Sequence, residues 1–511
     1  ALVISDERTL SRAETESLAQ DLAARLRATG VRAGDIVVVA MPRSWRQVVA
    51  VSGVMMAGAA YLPLDPRGPT DRIARILDRS RAVAMVTDDE VQEIINVHRL
   101  PTISVDDLIG YAPGRWQRIA PDPRTRAYVI FTSGSTGEPK GVVMTHDAVA
   151  NTIEAVNRTL DIGPEDRTLM LSNLSFDLSV YDIFGMFHAG GAVVMGTEAD
   201  HRNPEAWIDL VARHRVSVWN SVPMFMSMMA LHLDSHSGEF PGIRRVMLSG
   251  DWIPLDLPAA VQRYFPNAKL ISLGGATEAA IWSNSFPVTE VDPGWRSIPY
   301  GKPLANQMFR ILDEVGDDVP DIVAGDLCIA GAGLADGYLN DPTSTDLSFV
   351  IDPRTGERLY RTGDRARYMG DGNVEFLGRA DSQVKVGGHR IELGEIEAAL
   401  SDLDWVRNAA VSTIGGRESR QLVAHLVLED GMSAMTSKEQ LVISKAEVVD
   451  ADQMFSAAVE AMARRVLASD WQVLTGRMID PVDDVDRTMR EAGIHPTMIH
   501  LARNQLRRLD E

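Results

Sequence analysis

Residues 128–141 read YVIFTSGSTGEPKG, a strand-like apolar run that enters a loop of serine, threonine and glycine ending in a lysine. Glycines let the backbone approach a ligand closely, and hydroxyls with backbone N–H groups form an anion-binding concavity. The lysine adds a positive charge suited to phosphate. The candidate phosphate-binding residues are Thr132, Ser133, Gly134, Ser135, Thr136, Gly137 and Lys140. The loop lacks the GxxxxGK[ST] pattern of a P-loop, and a solvated surface loop is the alternative interpretation.

Apolar strands alternate with helical stretches on both sides of this loop, up to about residue 375. Residues 11–29 predict a helix, with Leu18, Leu22 and Leu26 on one face. Continuous apolar strands between helices are typical of largely parallel sheets that carry helices on both faces. The predicted strands include residues 36–39, 128–131, 192–195 and 216–219. The fold class is therefore predicted to be α/β.

The composition narrows the class of protein. The chain has 511 residues, 45% hydrophobic and 24% charged, which is typical of a globular protein of several structural units. Its net charge of −20 disfavours a nucleic-acid partner. Cys328 is the one cysteine, so no internal disulfide or cysteine zinc cluster is expected, and a reducing cytoplasmic location is favoured. The sequence contains no long apolar run, which predicts no membrane span. It begins ALVISDERTL without an initiator methionine, which suggests a fragment or a processed chain.

Seven motifs in order carry a family resemblance. They are MMAGAAYLPLDP (55–66), FTSGSTGEPKG (131–141), FDLSVYDIFG (176–185), LGGATEA (273–279), GDLCIAGAGLADGYLNDP (325–342), YRTGD (360–364) and GRADSQVKVGGHRIELGEIE (378–397). Over roughly residues 1–430 the chain resembles an adenylation domain of a non-ribosomal peptide synthetase, within the adenylate-forming superfamily. The resemblance implies a large core lobe of sheets flanked by helices and a smaller C-terminal lobe. It also implies the reaction: an amino-acid carboxylate attacks the α-phosphate of ATP, releasing pyrophosphate, and the acyl group then passes to a carrier-protein phosphopantetheine thiol.

The resemblance assigns roles to residues that suit this chemistry, because phosphoryl-type displacement needs positioning and charge neutralisation. The 132–140 loop is expected to hold the β- and γ-phosphates. Glu278 is expected to bind Mg²⁺ beside the α-phosphate, since magnesium prefers oxygen ligands, while Thr277 donates to phosphate. Asp364 is expected to accept both ribose hydroxyls, and Arg379 to contact the same region.

Two further positions are assigned from their place in the sequence. His146 follows the phosphate loop, and it is expected to help position phosphate or acyl groups; a capping or core histidine is the alternative. Asp381 stands where the large lobe gives way to the small one, and the resemblance implies that it is the hinge.

The chain departs from the family in one motif. Residues 272–278 read SLGGATE where the family has an Asn-x-Tyr-Gly-Pro-Thr-Glu pattern. Gly274 thus replaces the tyrosine that stacks on adenine, and Gly275 and Ala276 complete the nucleotide-binding candidates. Adenine stacking must either weaken or come from elsewhere in the chain.

The same motifs place the substrate pocket. The resemblance implies that Asp177 pairs with an α-ammonium group, a charge-assisted contact that marks an amino-acid substrate. The expected wall positions are Leu178, Tyr181, Asn220, Met247, Ser249, Leu273, Ile281 and Trp282. None of these is charged, so an acidic or basic substrate side chain would be unpaired. The set resembles that for L-cysteine, with serine as the alternative. An acyl-CoA or aryl-acid ligase, and a non-enzymatic nucleotide-binding or interaction remnant, are the rival functions.

The C-terminal part predicts an interrupted domain. We assign residues 1–380 to the core lobe, 381–430 to a partial small lobe and 431–511 to a helical segment, which has an apolar stripe from Phe455 to Val466. The lysine that ends the family's small lobe is missing, because Lys438 and Lys445 lack the Gly-Lys context. The last segment resembles the start of an inserted methyltransferase-like domain, without a loop for S-adenosylmethionine; a diverged small lobe is the alternative. A small MbtH-like protein is a possible partner that leaves no motif here.

Overall fold

The computed structural model describes residues 1–68, 70–91, 100–108, 122–132, 138–235, 240–380, 384–386, 389–401, 406–414, 421–428 and 441–442. The chain divides into two compact units. The first comprises Ala1–Ser133 and Pro139–Gly388, and the second comprises Gly134–Glu138 and His389–Glu511. The predicted hinge residue Asp381 lies outside the described residues, as do the apolar stripe from Phe455 to Val466 and both C-terminal lysines. The lobe boundaries therefore stay predictions.

A nine-stranded sheet forms the larger layer of the first unit. Its six central strands run parallel, and antiparallel strands close both edges. In spatial order the strands are Lys302–Pro303, Asn284–Val288, Lys269–Gly274, Arg245–Leu248, Val218–Ser221, Arg167–Met170, Ala192–Met195, Val3–Ser5 and Thr9–Leu10. Carboxyl ends of parallel strands meet at one edge of a sheet, where α/β proteins bind ligands. Asn220, Met247 and Gly274 lie at or next to that end of three neighbouring strands.

A seven-stranded sheet carries the predicted phosphate loop. The loop joins two antiparallel strands whose register pairs Thr132 with Lys140, so its ends are held side by side. The edge strand places Tyr338 opposite Val142 on the lysine-bearing strand. In spatial order the strands are Gly337–Tyr338, Lys140–Thr145, Arg126–Thr132, Ala60–Leu64, Ile36–Ala40, Ala84–Thr87 and Thr102–Ser104.

A five-stranded antiparallel sheet completes the first unit. Its strands are Gln307–Leu312, Gly325–Gly331, Phe349–Ile351, Arg358–Tyr368 and Val374–Arg379. The pairing of the last two places Asp364 directly opposite Arg379. Cys328 is buried in the second strand, and burial raises the pKa of its thiol to about 11. A neutral, inaccessible thiol of this kind serves packing rather than chemistry.

The helices of the first unit cover the sheets, as the α/β class requires. The first predicted helix is confirmed as Arg12–Ala28, with a capping box between Ser11 and Glu14. Its three predicted leucines are buried. The others are Trp45–Met56, Thr70–Ser80, His146–Leu160, Leu178–Val180, Met186–Ala189, Pro204–His214, Pro223–Ser235, Leu257–Tyr264 and Pro342–Ser348, with a π turn at Tyr181–Gly185 and 3-10 turns at Asp106–Leu108, Glu198–Asp200 and Thr277–Ala279. No helix among the described residues is both long and apolar enough to span a bilayer.

One predicted strand begins later than its apolar run suggests. Residues 216–219 were expected to form it, whereas the strand observed is Val218–Ser221. Arg215 ends the preceding helix with a left-handed backbone, and the Val216 N–H donates to Val211 O. Val216 therefore belongs to the turn that ends the helix. Its apolar side chain is buried there, so the sequence alone does not distinguish it from a residue of the following strand.

The second unit is described in part. It contains the helix Leu393–Ser401 and an antiparallel sheet of Val406–Ile414, Gln421–Leu428 and Leu441–Val442. Two further short strands of the chain are Val384–Val386 and His389–Ile391. The apolar runs at 409–413 and 422–428 lie inside the strands Val406–Ile414 and Gln421–Leu428. Leu441 and Val442 form a strand within the segment predicted to be helical.

Candidate active site

A short turn at Thr277–Ala279 carries the predicted catalytic glutamate. Glu278 is fully buried, and the Tyr338 hydroxyl donates to its Oε1 over 2.9 Å. The Lys140 Nζ lies 5.3 Å from the centre of the Tyr338 ring, within range of a cation–π contact. Tyr338 therefore joins the lysine and the carboxylate, which are 138 positions apart in sequence, into one cluster.

The preceding residue of the same turn contacts the predicted amino-acid anchor. The Thr277 hydroxyl donates to Asp177 Oδ2 over 2.7 Å. Asp177 is 6% exposed and stands immediately before the helical turn Leu178–Val180. The residue expected to donate to phosphate and the residue expected to hold the α-ammonium group are thus one hydrogen bond apart.

The predicted ribose carboxylate is held by the predicted arginine. Arg379 Nη1 lies 3.0 Å from Asp364 Oδ1, and the same guanidinium donates to Thr362 O over 2.9 Å. Both side chains of the ion pair are 14% exposed, so the pair is mostly withdrawn from water. Asp364 also lines a cleft with Gly274 and Gly275, which brings the ribose and base candidates into one space.

The wall positions of the predicted substrate pocket form one packed group. The rings of Tyr181 and Trp282 lie 4.9 Å apart at an angle of 57°. Trp282 Nε1 donates to Ser249 Oγ over 3.0 Å, and the Tyr181 hydroxyl donates to Asn157 Oδ1 over 2.8 Å. The remaining apolar wall positions, Leu178, Met247, Leu273 and Ile281, are all buried. These contacts fix the two large rings in place.

Asn220 has one side of its amide engaged and the other unengaged. Its Nδ2 donates to Asp182 Oδ1 over 2.9 Å, and both residues are fully buried. Among the residues that the structure describes, Asn220 Oδ1 has no hydrogen-bond partner. Asp182 therefore orients the amide, leaving a buried acceptor at the carboxyl end of its strand.

Burial raises the pKa of Asp182 to about 7, against weaker opposing effects from Asn220 and Arg43. A carboxyl group with a raised pKa binds its proton in the folded chain at pH values where the unfolded chain has released it. The free energy of unfolding is therefore expected to fall as the pH rises from about 4 to about 7.

This pH dependence can be tested with Asp182→Asn, which removes the titrating group and keeps its size. Between pH 5 and pH 8 the parent chain should lose roughly 2–3 kcal/mol more of its free energy of unfolding than the variant. Urea unfolding at both pH values measures the difference. Equal losses in the two proteins would show that Asp182 titrates normally.

The turn after Glu278 has an unusual backbone. Ala280 and Ile281 have φ angles of 54° and 71°, in the left-handed region. That conformation is costly for a β-branched residue such as isoleucine and often marks functional sites. The turn presses residues 281–283 against Gly275, where a Cβ would lie 2.8 Å from Ile281 O. The predicted pocket wall and the predicted nucleotide motif are therefore in direct backbone contact.

The remaining predicted residues are placed less completely. Ser133, Gly134, Ser135, Thr136 and Gly137 lie outside the described residues, while the Thr132 hydroxyl lies 3.5 Å from Lys140 O. His146 begins the helix His146–Leu160, and burial lowers its pKa. Ala276 precedes the Thr277–Ala279 turn and accepts a hydrogen bond from the Ala279 N–H.

A magnesium site made by protein side chains alone is not found in the described part of the chain, which holds no group of three or more metal-ligating residues. Magnesium in nucleotide enzymes keeps several waters and binds one or two carboxylates plus substrate phosphates. A single buried carboxylate such as Glu278 fits that pattern.

Sequence reasoning missed three residues that hold the site: Asn157, Asp182 and Tyr338. Asp182 and Tyr338 lie inside the quoted motifs FDLSVYDIFG and GDLCIAGAGLADGYLNDP, so the motifs contained the signal. Asn157 lies on the helix His146–Leu160, where a polar residue on a buried face was the available clue.

Comparison with known proteins identifies the family. The profile described as "AMP-binding enzyme" matches residues 1–339. Pyochelin synthetase PchE of Pseudomonas aeruginosa is 41% identical over 523 residues, covering 100% of this chain and 35% of that protein. Phenyloxazoline synthase MbtB of Mycobacterium tuberculosis is 41% identical over 443 residues, covering 86% of this chain and 31% of that protein.

A solved structure extends the match to three dimensions. The non-ribosomal peptide synthetase FmoA3, in its α-methyl-L-serine-AMP bound form, is 40% identical with a TM-score of 0.72, covering 78% of this chain and 44% of that one. The chain spans less than half the length of each of these relatives. Its matched profile and its relatives together place it in the AMP-binding enzyme family, as an adenylate-forming domain of the non-ribosomal peptide synthetase type.

Proposed function

We propose that this domain activates L-cysteine with ATP as cysteinyl-AMP, releasing pyrophosphate, and passes the acyl group to the phosphopantetheine thiol of a carrier protein. The observation that carries the proposal is the 2.7 Å hydrogen bond from Thr277 to Asp177. It joins a carboxylate suited to an ammonium group to the turn that bears Glu278.

The geometry of an α-amino acid explains why this contact matters. Its ammonium and carboxylate groups are bonded to the same carbon, so an ammonium at Asp177 brings the carboxylate to the Thr277–Ala279 turn. Holding the nucleophile beside the phosphate-binding residues supplies the proximity on which such displacement depends. The bound ammonium competes with Thr277 for Asp177, which releases the threonine hydroxyl to donate to phosphate.

Glu278 and Lys140 supply the charges. Mg²⁺ bound at Glu278 would neutralise phosphate charge, and Lys140 adds a cation within the same cluster. Asp364, oriented by Arg379, accepts from the ribose hydroxyls. These roles give one function to each of five charged residues: Lys140, Asp177, Glu278, Asp364 and Arg379.

The choice of cysteine rests on the pocket walls. The two fixed rings exclude large side chains, and the buried apolar positions favour a thiol, which behaves as a small apolar group with a weak S–H donor. Asn220 Oδ1 is a suitable acceptor for that donor. Serine, which differs from cysteine by one atom, is the alternative. The α-methyl-L-serine-AMP bound by FmoA3 supports that alternative.

A pyrophosphate-exchange assay across the twenty amino acids tests the proposal. Cysteine should exceed serine by about 10- to 100-fold in kcat/KM, the range that a largely apolar pocket achieves between close isosteres. Equal or faster exchange with serine would establish the alternative. Exchange with aryl or fatty acids alone would identify a different ligase. A thermal shift with cysteine and Mg-ATP, without exchange under any condition, would favour a non-enzymatic remnant.

The wider setting is part of the same proposal. We infer a cytoplasmic assembly line with a carrier protein and, as a further partner, an MbtH-like protein. We also infer that the domain is interrupted by a methyltransferase-like insertion. Because Lys438 and Lys445 lack the expected context, the chain alone should bind ATP and amino acid but adenylate slowly. Full exchange activity would show that another residue replaces the small-lobe lysine.

A further inference from the structure

Gly274 faces the ring of Tyr300 at close range. A Cβ added to Gly274 would lie 2.1 Å from Tyr300 Cε2 and 2.7 Å from Cζ, well inside van der Waals contact. Gly274 is not among the residues with a positive φ angle, so the backbone conformation does not demand glycine. The glycine is required because the tyrosine ring occupies the space that a side chain at position 274 would enter.

Tyr300 is held firmly in this place. Its ring stacks on Phe309 at 5.7 Å and 19°, and on Phe376 at 5.9 Å and 29°. Its backbone N–H donates to Val374 O over 2.8 Å, and Asn284 donates to its carbonyl oxygen. Two aromatic neighbours and two backbone hydrogen bonds therefore hold the Tyr300 ring in place.

The ring also lines the cleft that contains the ribose candidate. Tyr300 shares this cleft with Gly274, Asp364 and Phe376. Trp252 also lines it, and its ring lies 4.8 Å from that of Phe376. Burial, with a smaller contribution from Asp364, raises the pKa of Tyr300, so the phenol is neutral at physiological pH. An aromatic surface beside a carboxylate suits a nucleoside, whose base stacks while its hydroxyls donate.

We propose that Tyr300 supplies the stacking face for adenine that Gly274 lacks. The inference rests on the proposed ATP-dependent adenylation and specifies the residue that recognises the base. The Tyr300 ring occupies the space that a Cβ at position 274 would enter. Stacking of a base on an aromatic side chain does not depend on which base is bound, and it contributes substantially to the binding free energy.

The first test compares Tyr300→Ala, Tyr300→Leu and Tyr300→Phe by direct binding of AMPPNP with Mg²⁺, measured by calorimetry. Alanine and leucine should weaken binding about 5- to 150-fold, the range for loss of one base–aromatic stack. Phenylalanine keeps the ring and should bind within about twofold of the parent chain. Leucine retains bulk, so it separates loss of the ring from loss of packing.

Inorganic pyrophosphate is the matched ligand control, because it has no base. Its affinity should be the same in all three variants and the parent chain. Parent-like AMPPNP binding by Tyr300→Ala and Tyr300→Leu would overturn the inference. A loss shared by Tyr300→Phe would also overturn it, by assigning the effect to the hydroxyl group.

A swap of positions provides the second test. Gly274→Tyr alone should lose nucleotide binding through the clash, and Tyr300→Gly alone through loss of the ring. The double variant should regain AMPPNP affinity above both single variants, while failure to do so in a folded double variant would contradict a shared position in space. Thermal unfolding confirms that each variant is folded.

The binding readouts keep this inference distinct from the proposed function. If no amino acid supports exchange but AMPPNP binding still depends on the ring, adenylation fails and the base contact stands. If Tyr300→Ala exchanges with an unchanged KM for ATP, the base contact fails and adenylation stands.

Discussion

Asp177→Asn is expected to reduce kcat/KM for cysteine in pyrophosphate exchange by about 30- to 5000-fold, the cost of removing one partner from a buried charge pair. Asp177 is 6% exposed, so little water can reach the substrate ammonium group to compensate for the lost carboxylate charge. Asparagine keeps an oxygen that can accept from Thr277, and the variant therefore isolates the charge from the hydrogen bond of the resting site.

The controls for this prediction use ligands rather than a second variant. AMPPNP affinity without amino acid should be unchanged, because the nucleotide does not contact the ammonium site. In the parent chain, the deaminated analogue 3-mercaptopropionate should support less exchange than cysteine. In Asp177→Asn this difference should disappear. Undiminished exchange with cysteine would show that Asp177 does not bind the ammonium group and would favour an aryl-acid or acyl ligase.

Glu278→Gln is expected to reduce kcat for exchange by about 100- to 1000-fold, comparable to the loss of one preorganised charge-stabilising group. The amide matches the carboxylate in size and can still accept from the Tyr338 hydroxyl, so the packing of the cluster is preserved. The concentration of Mg²⁺ that gives half-maximal exchange should rise, because a neutral amide is a weaker magnesium ligand.

Tyr338→Phe is the matched control for the glutamate. It removes the 2.9 Å hydrogen bond but leaves the carboxylate charge, so the Mg²⁺ concentration that gives half-maximal exchange should stay close to that of the parent chain. If Glu278→Gln and Tyr338→Phe show the same kcat and the same magnesium dependence, Glu278 has only a structural role. Melting temperatures of both variants show whether either change disturbs the fold.

The apolar runs and helix signals predicted an element well where the local preference of its sequence agrees with its packing in the fold. The helix Arg12–Ala28 has a capping box at one end and a glycine with φ of 101°, Gly30, at the other. The parallel strands were predicted from their continuous apolar runs, because both of their faces are buried. The sequence did not reveal the order of strands in the sheets, which depends on pairings between distant segments.

The motifs named candidate site residues, but they did not show which of these residues lie together. The motifs assigned Asp177 and Thr277 to different ligands, and only the fold shows that they contact each other across 100 positions. Tyr300 could not be predicted, because it lies outside the motifs. Gly274 shows that the family's tyrosine is missing from its motif, but it does not show which residue occupies the space beside it. Tyr300, whose ring occupies that space, lies in a connection between strands that has no recognisable pattern.

The close contact of Gly275 with the turn at residues 281–283 has a consequence for altering specificity. Residues 273–283 hold predicted wall positions of the substrate pocket, the predicted nucleotide motif and Glu278 on one continuous piece of backbone. Neighbouring substitutions of this kind are not additive. Substitutions that change the amino-acid specificity are therefore expected to alter ATP binding as well. A library that varies this stretch as one block should reach combinations that substitutions made one at a time cannot.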